Sequence, residues 1–80
     1  MKGTVFAGII FSKDWENYKK ICEICQGYIV GIMDANEGEF SISLNGDPFY
    51  IKEKISAVEK YMTGLVFKDP GFRVTMSYPY

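Results

Sequence analysis

The chain is 80 residues long, 48% hydrophobic and 24% charged, and its nine basic and ten acidic residues leave a net charge of −1. Charges of both signs are interspersed, with no run longer than Lys19-Lys20 and a single arginine, Arg73, which argues against the basic face of a nucleic-acid-binding module. No segment approaches the roughly 20 apolar residues of a membrane span.

A chain this short buries only about 60% of the surface its unfolded form exposes. Its six Phe, six Tyr and one Trp help to make up the shortfall, because aromatic side chains carry large buried area per residue. Lys2 and the apolar run 5–11 mimic a minimal signal peptide, but the run is at the lower limit for one and no small-x-small cleavage site follows. The expectation is a soluble, cytoplasmic protein.

Residues 4–11, "TVFAGIIF", are β-rich and apolar on both faces, the pattern of a central strand. Ser12 is then placed to N-cap a helix, with Asp14 and Glu16 in its first turn. That helix is expected to run to about Cys25, with Gly27 as its stop. Residues 28–33, "YIVGIM", form a second predicted strand. The polar turn "DANEG" joins it to residues 39–44, where Phe40, Ile42 and Leu44 alternate with Glu39, Ser41 and Ser43.

Asp47-Pro48 supplies an N-cap and N1 pair for a second helix. Its Ile51, Ile55, Val58 and Met62 fall in one stripe flanked by Tyr50 and Tyr61, and Gly64 ends it. Residues 65–67 are read as a short strand before the turn "KDPG". The last strand, "FRVTMSY", sets Phe72, Val74, Met76 and Tyr78 against Arg73, Thr75 and Ser77. The order β-α-β-β-α-β predicts a single α+β domain over residues 1–80. It is the ferredoxin-like arrangement, with two helices on one face of a four-stranded antiparallel sheet.

"KICEIC" carries the chain's two cysteines, and there is no histidine. At about 100° per residue, Trp15, Tyr18, Cys22 and Cys25 share one helix face with Ile21 beside them, so both thiols point toward the sheet. Helical residues three apart hold their Cβ atoms about 5–6 Å apart, against the roughly 3.5–4.5 Å of a disulfide. Reactive CxxC thiols sit at a helix N-terminus, whereas these lie near the opposite end. Zinc needs four ligands. The two cysteines are read as small hydrophobes of the core, and no metal or cofactor is expected.

Family patterns on this fold are not met. Heavy-metal-associated domains place CxxC between the first strand and first helix, where this chain has "FSKDW". Acylphosphatases use an arginine after the first strand, and RNA-recognition motifs stack aromatics on the third, where "EFSISL" has serines. Asp34-x-Asn36-x-Gly38 breaks the EF-hand spacing and suits a hairpin turn better. With no histidine base, nucleophile elbow or Gly-rich phosphate loop, catalysis is not expected.

Two regions suit binding. One is the sheet face away from the helices, to which alternation assigns Ser41, Ser43, Arg73, Thr75 and Ser77. The first strand adds an apolar strip there, either Phe6/Gly8/Ile10 or Val5/Ala7/Ile9/Phe11. The other is aromatic: Phe49 on the polar side of the second helix, with Tyr50 beside it and Tyr78 near the chain's end. The reading is a non-enzymatic protein-interaction module, an adaptor or inhibitor such as a phage-encoded antagonist, with a protein partner and self-association as a homodimer. The alternative is a small-molecule- or nucleotide-binding or sequestering domain, in which Arg73 pairs with an acidic group of the ligand on the sheet or at a dimer interface.

Overall fold

The computed structural model describes residues 3–35 and 37–77. The chain runs β1 (Val5–Ser12), α1 (Trp15–Ile24), β2 (Ile29–Asp34), β3 (Glu39–Gly46), α2 (Pro48–Thr63) and β4 (Arg73–Ser77). The strands form one four-stranded sheet in the order β2-β3-β1-β4. Every neighbouring pair is antiparallel. Tyr78 lies outside the described residues.

Alternation along the strands decides the faces. Val5, Ala7, Ile9 and Phe11 of β1 are buried, as are Phe40, Ile42 and Leu44 of β3. They join Ile21 and Cys25 of the first helical segment and Ile51, Ile55, Val58 and Met62 of α2 in one cluster, so both helices cover the same side of the sheet. Among the described residues no polar or charged residue is buried. The strip of β1 left open was undecided from sequence; it is Phe6, Gly8 and Ile10.

Helix ends follow local chemistry, with one correction. Asp14, not Ser12, caps α1: its carboxylate accepts from the backbone N–H groups of Glu16 and Asn17, both at 3.0 Å. Ser12 closes β1 instead, its hydroxyl held by Asp69 at 2.7 Å, so it is unavailable to the helix. Asp47 caps α2 as expected, accepting from Phe49 N–H at 2.9 Å, with Pro48 at the first helical position. The helices are clasped where the Tyr61 hydroxyl donates to Asn17 Oδ1 at 2.7 Å. Gly38, at φ 83° in the β2–β3 turn, takes a backbone conformation that side chains with a Cβ disfavour.

Two further expectations are overturned. Trp15 is 68% exposed: as the first residue of α1 it lies over the end of the sheet, edge-on to Tyr18 and Phe40 with centroids 5.3 Å away in each case. Ile21, placed beside that face, is fully buried. Residues 65–67 form no strand. Lys68 Nζ donates to the carbonyls of Thr63 and Leu65, folding this segment against the C-terminal end of α2 and turning Val66 and Phe67 outward. Leu65 alone of the three packs on the core.

The α1 face is testable by truncation. Ile21→Ala is expected to cost roughly 2–5 kcal/mol, as for other core Ile-to-Ala changes, and Trp15→Ala clearly less, in urea unfolding of the two variants side by side. Equal losses would restore Trp15 to the core.

Candidate functional site

The strand registers place the open face in rows. Phe6 of β1 stands between Asn45 of β3 and Ser77 of β4. The next row is Gly31, Ser43, Gly8 and Thr75 across β2, β3, β1 and β4. Beyond it lie Met33, Ser41, Ile10 and Arg73. The middle row carries only hydrogens and small hydroxyl side chains, so it forms a shallow trough. Phe6, 52% exposed, walls one side and Met33, 63% exposed, stands on the other with Ile10.

Five of the sequence-predicted residues therefore share this face: Ser41, Ser43, Arg73, Thr75 and Ser77. Phe49 does not. It begins α2 on the helix-covered side, 68% exposed, edge-on to Tyr50 at 5.4 Å, and Tyr50 stacks on Tyr28 at 6.2 Å. That aromatic group is separate from the open face.

Arg73 is already engaged. Its guanidinium reaches across β1 to the Glu39 carboxylate with two hydrogen bonds of 3.2 Å, and donates a third to the Gly71 carbonyl at 2.9 Å. The hydrogen bonds with Glu39, helped by its charge, outweigh the opposing effect of burial and raise the Arg73 pKa above its ordinary value. A ligand carboxylate at this position has to displace Glu39, whose side chain is only 18% exposed. From sequence Glu39 is only one of the polar residues alternating with Phe40, Ile42 and Leu44, and its pairing with Arg73 is not expected. The signal was present: alternation put Glu39 and Arg73 on one face, and the topology sets their strands on either side of β1.

Next to this pair, Asp69 accepts from the Ser12 N–H at 2.8 Å, the Ser12 hydroxyl at 2.7 Å and the Gly71 N–H at 2.9 Å. Burial pushes its carboxyl up, and the three hydrogen bonds more than offset that, leaving its pKa below the ordinary value of 3.8. Asp69 thus ties the loop after α2 to the end of β1. Nothing in "KDPG" beyond its turn character announced this role.

The thiols sit on the covered side. Cys25 is fully buried, and burial first, then the neighbouring Cys22, raises its pKa to about 11 against a smaller opposing effect of Lys54. Burial also raises Cys22, partly countered by a hydrogen bond with Tyr18. Both are free thiols. Among the described residues, no group of three or more His, Cys, Asp or Glu gathers to hold a metal, and no helix is long and apolar enough to cross a membrane. Shallow depressions run along the helices, one beside Tyr61 between Glu16 and Lys20, the other between Asn17 and the exposed Val66 and Phe67. No protein-family model, curated protein or solved structure matches this chain.

Two outcomes are expected here. In Asp69→Asn the amide offers one acceptor oxygen in place of two and turns an N–H toward Ser12, costing roughly 1–3 kcal/mol near neutral pH. Because the folded carboxyl has the lowered pKa, its contribution is complete above the unfolded value and is lost as pH falls through the folded one. The gap in unfolding free energy between wild type and Asp69→Asn should therefore be full at about pH 7 and narrow below about pH 4. A gap independent of pH would show that the carboxylate charge is not what holds the loop. Thiol alkylation of the folded protein at neutral pH should be slow at both cysteines, Cys25 the slower, and fast in denaturant. Rapid labelling of either in the native state would reopen thiol chemistry.

Proposed function

We propose that this chain is a non-enzymatic protein-interaction module, an adaptor or inhibitor that binds a protein partner through the open face of its sheet in the cytoplasm, where reduced thiols persist. The strand order and the one-sided helices are those expected of a ferredoxin-like domain, and that name is part of the proposal.

The observation that carries the reading is the pair of glycines in the trough. A strand-interior glycine costs about 0.5–1 kcal/mol relative to alanine. Neither Gly8 nor Gly31 is among the glycines with positive φ. A Cβ at Gly31 meets nothing nearer than Ser43 Cβ at 4.0 Å, whereas one at Gly8 would crowd the Thr75 hydroxyl at 3.0 Å. Folding alone gives little reason for the bare position at Gly31, which shares its row with Gly8 across Ser43. A partner that lays a large side chain or its own backbone into the trough gives one: walls of Phe6 on one side and Met33 with Ile10 on the other, over a hydroxyl floor, are the composition of a contact surface.

Native mass spectrometry of tagged protein taken gently from its host's lysate tests the proposal, with Phe6→Ser run in parallel. Wild type is expected to carry a second polypeptide and Phe6→Ser to lose it, at a small cost in stability since Phe6 is half-exposed. A partner retained by Phe6→Ser would move the site off this face. A small-molecule adduct in place of a protein would favour the ligand-binding alternative.

A further inference from the structure

The edge strand β2 lacks the devices that keep sheet edges from pairing. Natural edges are blunted by lysine, proline, inward charge or marked bulging. Residues 29–33 hold no charge and no proline, and Val30, Ile32 and Met33 are 62%, 44% and 63% exposed. The register shift lies at one end, between Ile29 and Gly31, and leaves the ladder from Gly31 to Asp34 regular. The Ala35 N–H donates to the Glu39 carbonyl at 3.3 Å, so it points toward β3. By the alternation of an antiparallel ladder, the N–H and C=O of Asp34 and of Ile32 then point away from the sheet.

We propose that β2 pairs antiparallel with β2 of a second copy, about a two-fold axis through Ile32, joining two sheets into one of eight strands. A second copy fits this edge because the edge is complementary to itself. With the axis at Ile32, each Ile32 exchanges N–H and C=O with its counterpart, and the two side chains meet on the helix side. Gly31 of each copy lies opposite Met33 of the other, both on the open face. The Met33 side chain covers the bare position that Gly31 supplies, twice by symmetry. No like charges meet near the axis: Asp34 lies toward the ends and is paired with Lys13 at 3.2 Å. The axis is normal to the sheet, so both open faces stay on one side and each trough remains accessible except at its Gly31 end. The interface is small, so the dimer is expected to be concentration-dependent. This inference does not rest on the open-face partner.

Sedimentation equilibrium on purified protein from about 1 µM to about 1 mM, with amide exchange across the same range, tests it. The expected result is a monomer–dimer equilibrium in which the Ile32 amide gains protection as concentration rises. Ile32→Lys sets two ammonium groups at the axis and is expected to raise the dimer dissociation constant at least about tenfold, with a two-state thermal transition showing that the variant folds. Phe6→Ser is expected to leave the dimer intact, while Ile32→Lys spares any capture that depends on Phe6, so the two proposals fail separately. A protein monomeric throughout the range, or a dimer whose Ile32 amide exchanges as fast as in the monomer, would overturn the pairing.

Discussion

The structure depends on β1 being buried on one face and paired along both edges. It hydrogen-bonds to β3 on one side and β4 on the other, and Val5, Ala7, Ile9 and Phe11 form the floor on which both helices rest. In a domain this small the floor has to be continuous, since one cluster supplies the stability. Among the described residues, β1 contributes four of its thirteen buried side chains. With that face committed, Phe6, Gly8 and Ile10 necessarily turn to the other side. The open face is thus apolar along its middle because its central strand is β-rich throughout, while β3 and β4 flank it with serine, threonine and the Arg73–Glu39 pair.

That pair is better understood as geometry than as energy. Exposed ion pairs contribute roughly 0–1 kcal/mol, and the Arg73 side chain is about half-exposed. What the guanidinium does is span β1, linking β3 to β4 at the end of the sheet where Asp69 fastens the loop to Ser12. The polar end is therefore knit together. The opposite end of the open face carries Phe6 between Asn45 and Ser77. The asymmetry separates a fixed end from one where the side chain facing solvent is a phenylalanine.

Where the sequence was legible, one periodicity governed each element. Ile51, Ile55, Val58 and Met62 appeared in the stripe that is buried, and the alternation of residues 39–44 and 72–77 assigned every described residue there to its face. Errors came where two local roles competed for one residue. Ser12 and Asp14 are both good caps, and only the distant Asp69 decides between them by occupying the Ser12 hydroxyl. Trp15 lies at the helical spacing of the buried face, but at the first turn of α1 that face has already passed the edge of the core. Residues 65–67 have strand composition, yet the Lys68 contacts that turn two of them outward depend on where α2 ends. Arg73 was placed correctly and its occupancy missed, because a pair two strands apart appears only after the sheet order is combined with the alternation.

The trough and the β2 edge raise one question from two directions. A small protein selected only for a stable monomer gains from alanine or valine at Gly31, where the backbone is ordinary and the space is open, and from a lysine among residues 29–33. This chain has neither. Among the described residues its charges lie mostly on the helices and in the loops, and only Glu39, Asp34 and Arg73, at one end of the sheet, fall on strands. Both omissions fall on surfaces that face outward, and both leave room or hydrogen-bonding capacity for another chain. Gly31 belongs to both: it ends the trough row and lies opposite Met33 in the proposed pairing. If β2 pairs as argued, the Met33 side chain of the second copy closes that end of the trough, and a partner's reach along the row would then depend on whether the protein is dimeric.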